Sequence, residues 1–94
     1  MPSPTFAEPQ VVRETRTLPP YRVILHNDDV NSIEHVVLRI LELTKLAEAE
    51  AVDCALEAHN TGSSTLLRTH KERAELYCEQ FATFTITVTC EPDA

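Results

Sequence analysis

Residues 84–90, "FTITVTC", alternate without a fault. Phe84, Ile86, Val88 and Cys90 fall on one side of an extended chain and three threonines on the other. Side chains of a strand point alternately to the two faces of its sheet, so this pattern specifies a strand buried on one face and wet on the other. The fold must therefore cover a sheet from one side only. Two further segments read as strands: "YRVILH" at 21–26, β-rich and free of breakers, and the short "SSTLLR" at 63–68. Between them the period changes. Ile33, Val36, Val37, Ile40 and Leu41 recur at i, i+3, i+4, which predicts an amphipathic helix to about Thr44, with Asn31 as N-cap and Glu34 completing a capping box. A second helix is predicted from about Ala47. Its apolar side is Val52, Ala55 and Leu56, and His59 is next on that stripe. Gly62, the only glycine of the chain, follows where a helix ends in a left-handed residue. Thr69 and Glu72 mark the start of a third helix with a buried stripe of Ala74, Tyr77, Cys78 and Phe81. The order β-α-α-β-α-β predicts an α+β fold, a small three-stranded antiparallel sheet with three helices on one face.

With 94 residues the chain is expected to form one domain. Five of its six prolines lie within residues 1–20, which predicts an extended N-terminal arm and a core domain over 21–94. The net charge of -7 argues against a phosphate-backbone partner and admits a basic partner or a cationic ligand. Cys54, Cys78 and Cys90 are odd in number and form no CxxC pair, so neither a disulfide framework nor a zinc site is expected. No apolar stretch is long enough to span a membrane, and the first ten residues lack the features of a secretory signal. A reducing compartment, the cytoplasm, is the expected location.

The chemistry concentrates at a junction. "HNDDVNS", residues 26–32, places two carboxylates and two amides between a strand and a helix. Asn27, Asp29 and Asn31 match the opening of a calcium loop, but Ser32 stands where its glycine belongs and Leu38 where its bidentate glutamate belongs. Capping of the helix accounts for Asn31 and Asp29 without requiring Asn27 and Asp28. His59 is the second unusual residue. It is either a satisfied histidine of the core or a group that meets a polar ligand at the core's edge. His26, His35 and His70 read most simply as solvated surface residues. Spacing shows no nucleophile–histidine pair, and a phosphate loop is not possible with a single glycine.

Taken together, "PPYRVILHNDD", "AHNTG", "ERAELYCEQF" and "TVTCEPD" resemble the ClpS family of bacterial adaptors for Clp-protease degradation, in order from Pro19 to Asp93. The resemblance implies a binding module, not an enzyme, with no cofactor and no metal. It would deliver proteins bearing destabilising N-terminal residues, the N-degrons, to a ClpA-like or ClpC-like AAA+ unfoldase, acting as a monomer with no nucleic-acid or membrane partner. Asn27, Asp28 and His59 are implied to hold the substrate's α-amino group, with Asp29 and Gly62 belonging to the motifs as structural residues. An ammonium has three donors, and a carboxylate, an amide oxygen and a neutral imidazole nitrogen can each accept one. The implied pocket for the first side chain is Asn31, Ile33, Val36, Ala58 and Ile86. Ile33 stands where the family commonly has Met, Ala58 where Val is common and Asn31 where Thr is usual. The implied Clp-docking surface includes Glu72, while Tyr77 occupies the position of a basic residue. The arm at 1–20 corresponds to the family's N-terminal extension.

Two other readings compete. One is a metal-dependent hydrolase using His26, Asp28, Asp29 and His59. The other is a ClpS-like modulator that has lost peptide binding, against which the intact Asn27, Asp28 and His59 argue.

Overall fold

The computed structural model describes residues 18–93. Strand β1 (Tyr21–His26) leads into helix α1 (Ile33–Leu43), helix α2 (Glu48–Thr61), strand β2 (Ser63–Thr69), helix α3 (Lys71–Ala82) and strand β3 (Val88–Pro92). The expected element order and the α+β class are what is observed. The arm expected over 1–20 lies, apart from residues 18–20, outside the described residues.

The sheet order is β2-β1-β3, with β1 antiparallel to both neighbours. A register shift between Val23 and Ile24 leaves Leu66 of β2 as an extra residue, a bulge, and Ser64 and Leu66 are both buried on the inner face. Val23, Leu25, Leu66 and Val88 form the inner face and join Val36, Ile40, Ala51, Ala55, Ala58, Ala74, Tyr77, Phe81 and Ile86 in one hydrophobic cluster. Ser64 is the polar exception; its hydroxyl donates to the Cys54 carbonyl at 2.7 Å and so ties β2 to α2. On the outer face Arg22 and Arg68 stand opposite each other in the register. Carboxylates separate them, Glu91 pairing with Arg22 and Asp93 reaching both arginines.

Several local expectations are corrected. The N-cap of α1 is Ser32, whose Oγ accepts from the His35 N–H at 3.1 Å, because the side chain of Asn31 is engaged elsewhere. The N-cap of α3 is His70, since Thr69 is still paired with Tyr21 in the sheet. The buried stripe of α2 is Ala51, Ala55 and Ala58; Val52 is half-buried and Leu56 is 40% exposed. The helix presents its small side chains inward, which lets it approach close to α1 and the sheet, and His59 is carried out to an exposed position. Finally, β3 begins only at Val88. Residues 84–87 form a turn closed by the Phe84, Thr85 and Ile86 N–H groups donating to the Phe81 and Ala82 carbonyls, with Thr85 at φ 59°. The inward alternation survives this turn: Ile86 and Val88 are buried, Phe84 and Cys90 partly so.

Candidate functional site

Gly62 explains why two separated motifs belong together. It ends α2 at φ 105°, its N–H donates to the Ala58 carbonyl, and its own carbonyl accepts the Asn27 N–H at 2.9 Å. That bond fixes the first residue after β1 against the last turn of α2, so Asn27 and His59 come to the same place from opposite ends of the sequence. A Cβ at Gly62 would meet nothing within 4 Å, so the requirement for glycine is conformational rather than steric.

Asp28 organises the loop that follows. Its Oδ1 accepts the Val30 N–H at 2.6 Å and the Asn31 N–H at 2.9 Å, and its Oδ2 accepts the Asn31 side-chain amide at 2.6 Å. The same Asn31 Nδ2 donates to the Thr85 carbonyl at 3.0 Å, so the loop is tied to the turn before β3. Burial pushes the Asp28 carboxyl up. The Asn31 side chain, the Asn31 and Val30 N–H groups and, least, the His35 charge outweigh it and hold the carboxyl below its ordinary value. Asp28 is therefore an anion at neutral pH with all three of these donors already aimed at it.

Beside this loop lies a narrow cleft between β1, α1 and α2. Asn27, Asp28 and His59 stand in its wall together with Asn31, Ile33, Val36 and Ala58. Ile86 does not line it; at 2% exposure it is packed into the core. Asp29 is exposed on the loop and outside the wall. Leu25, His26 and Ala55 line the cleft and were missed as pocket residues. A signal existed for two of them. Leu25 is an inward strand position two residues before Asn27. Ala55 lies three and four residues before Ala58 and His59, hence on the same helix face. His26 is half-buried rather than simply solvated, its Nε2 lying 2.7 Å from the Thr89 hydroxyl.

The docking candidates sit elsewhere, on α3. Glu72 is exposed in its first turn, whereas Tyr77 is only 8% exposed, with the Arg73 guanidinium 5.5 Å above its ring. Among the described residues no three His, Cys, Asp or Glu side chains gather as a metal-ligand group. No helix of the described residues is long and apolar enough to cross a membrane. Chemically, the cleft is polar and anionic at one end and aliphatic inside. It suits a small ligand with a cation at one end and an apolar group at the other.

The comparisons with known proteins point the same way. Residues 16–89 match the family model for ClpS, the ATP-dependent Clp protease adaptor protein. The chain is 37% identical over 90 residues to the ATP-dependent Clp protease adapter protein ClpS of Synechococcus elongatus, covering 95% of each. It is 37% identical over 83 residues to the chloroplastic adapter CLPS1 of Chlamydomonas reinhardtii, spanning 87% of this chain and 51% of that protein. Among solved structures, Agrobacterium tumefaciens ClpS2 bound to L-phenylalaninamide superposes with a TM-score of 0.72 at 25% identity, over 80% of this chain and 98% of that one.

Proposed function

The chain belongs to the ClpS family of ATP-dependent Clp protease adaptor proteins, and from that premise we propose that its cleft binds N-degrons. The ligand is a free α-amino group followed by a large hydrophobic first residue, and the bound protein is handed to a Clp AAA+ unfoldase of the ClpA or ClpC type. The observation that carries this reading is the joining of Asn27, Asp28 and His59 at the polar end of a cleft whose interior is Leu25, Ile33, Val36, Ala55 and Ala58. The L-phenylalaninamide bound to Agrobacterium tumefaciens ClpS2 has both halves of such a ligand, an ammonium and an apolar ring. An adaptor of this kind needs no catalytic residue and no cofactor of its own. Its place of action is wherever the unfoldase works, the cytoplasm in the simplest case.

The chemistry of recognition follows from the geometry. Asp28 contributes a fixed negative charge, Asn27 an amide oxygen and His59 a ring nitrogen, against three ammonium donors. Titration of the protein with L-phenylalaninamide and with its N-acetyl derivative tests the reading. Acetylation removes the charge and leaves polar groups unpaired at about 1–3 kcal/mol each, so affinity should fall at least about tenfold. Equal affinity for the two compounds overturns the reading. Delivery is tested separately by capture of a ClpA-like or ClpC-like N-terminal domain, in which Glu72→Ala should weaken binding while leaving phenylalaninamide affinity unchanged.

A further inference from the structure

Two of the three cysteines meet. Cys78 lies on the inward side of α3, beside Tyr77 and one turn before Phe81. Cys90 follows the buried Val88 at the strand period, on the face of β3 that α3 covers. Both are free thiols, both are half-buried, and both pack against the hydrophobic cluster. Their side chains are hydrogen-bonded to each other. Cys78 also lines a shallow surface depression with Ala82, Thr85, Ile86, Thr87 and Val88, so a small solute can reach it. Cys54 stands apart on α2, its Sγ 3.5 Å from the Thr65 carbonyl. Between Cys78 and Cys90 runs the turn at 84–87. Its Thr85 carbonyl accepts the Asn31 amide that also donates to Asp28.

We propose that Cys78 and Cys90 are an oxidative modification site: a hydroperoxide converts the pair to a disulfide, a dithiol restores it, and the link fastens α3 to β3 around the turn that anchors Asn31. The sulfur of Cys90 attacks one oxygen of hydrogen peroxide and the O–O bond breaks. Cys90 becomes a sulfenic acid, and its former proton leaves with the other oxygen as water. The sulfur of Cys78 then attacks the sulfenic sulfur. An S–S bond forms, the S–O bond breaks, and the hydroxide departs with the Cys78 proton as a second water. The two thiols have lost two electrons and two protons, and the peroxide has been reduced to two waters. A dithiol reverses the change by two exchanges and is itself left as a disulfide. The order of steps follows from the surroundings. Burial, then the Cys90 thiol, then Glu75 and Glu79 raise Cys78 to about 11, so it holds its proton at neutral pH and suits the second, intramolecular attack. Thiols already in contact need little backbone movement to be joined. A link of this kind inside a cell is transient and regulatory, which agrees with a chain that has no disulfide framework.

The test treats the full chain with hydrogen peroxide and reads its intact mass. Cleavage after glutamate then separates Cys78 from Cys90 at Glu79. The expected product has lost two hydrogen atoms and carries the two fragments cross-linked, with Cys54 outside the link and no covalent dimer. Dithiothreitol should restore the starting mass. Closing a loop of about a dozen residues should raise the folding equilibrium constant about a hundredfold, read as a higher urea midpoint in the oxidised protein. The Phe84, Thr85 and Ile86 N–H groups, which close the turn, should exchange with deuterium more slowly. Cys54→Ser should behave as the wild type does. Cys78→Ser should stop at a sulfenic acid on Cys90, trapped by dimedone, and Cys90→Ser should form no link. The wild-type mass decides whether the link forms, so a serine variant that fails to fold does not shield the proposal. Oxygen added without a cross-link, a link through Cys54 or to a second chain, or a disulfide that leaves the urea midpoint and the exchange of the turn unchanged overturns it.

Discussion

At the scale of single residues, the site depends on two residues with double duties. Asn31 divides one amide between Asp28 and the Thr85 carbonyl, so it both orients the carboxylate and anchors the loop. Asn31→Ala removes one of the bonds that hold the Asp28 carboxyl down, while the upward push of burial remains. The Asp28 pKa should rise, as read by carboxyl-carbon NMR titration, and amine affinity should fall, as read by calorimetry; an unmoved pKa would show that Asn31 is a bystander. The linkage has a definite sign. A carboxyl with a folded-state pKa below its unfolded value stabilises the fold above the unfolded value and loses that contribution as pH falls through the folded one. The wild type should therefore lose more stability than Asp28→Asn on passing below the ordinary carboxylate range, measured by denaturant melts across that range. Gly62 is the second such residue. Its φ of 105° is unfavourable for any side chain, so Gly62→Ala should cost about 1–3 kcal/mol in a urea melt although no atom stands in the way.

At the scale of elements, α2 sets the shape of the cleft. It turns a row of alanines inward, and two of them, Ala55 and Ala58, also line the cavity. The opposite wall carries Ile33, β-branched and stiff at χ1, where a methionine would adapt its shape. A stiff gate facing a small-residue wall should accept Phe, Tyr and Trp at least as well as Leu. Ile33→Met and Ala58→Val should shift the ranking towards Leu, as measured on peptides differing only in their first residue. A wild type that binds Leu far more tightly than Phe and Trp contradicts this account of the walls. On the other side of the molecule, burial is the main force raising the Cys78 thiol to about 11, with the neighbouring Cys90 thiol and then Glu75 and Glu79 adding to it. Cys78 should remain a thiol at neutral pH and react only slowly with a thiolate-dependent reagent, at a rate that climbs with pH well beyond 9.

At the scale of the whole molecule, the proposed binding cleft and the candidate docking residues occupy different elements. The cleft is built by β1, α1 and α2, and Glu72 lies at the start of α3. Tyr77 is a core residue here, so we propose that a basic neighbour supplies the docking contact expected at its position. Arg73, exposed over the Tyr77 ring, is on the same helix. Arg73→Glu should weaken capture of a Clp N-terminal domain more than Tyr77→Phe does, with phenylalaninamide affinity as the control for both. Equal effects of the two changes would return the contact to Tyr77.

Sequence alone determined the period of each element, and with it the α+β class and the strand–helix order, because hydrophobic periodicity is a local property. The resemblance to ClpS, carried by recognisable stretches, pointed to Asn27, Asp28, Asn31, Ile33, Val36, Ala58 and His59, which share one cleft wall. What sequence could not supply was every choice settled by competition between distant groups. Ser32 rather than Asn31 caps α1 because the Asn31 amide is claimed by Asp28 and by Thr85, 54 residues away. The period of α2 was legible, but which of its faces turned inward depended on how close α1 and the sheet could come, and that choice put His59 at the rim and Ala55 in the wall. The alternation at 84–90 correctly placed Ile86 and Val88 inside, yet the strand starts only at Val88 because the chain must first turn back from α3, with Thr85 in the left-handed conformation. Packing, not pattern, then took Ile86 out of the pocket and into the core.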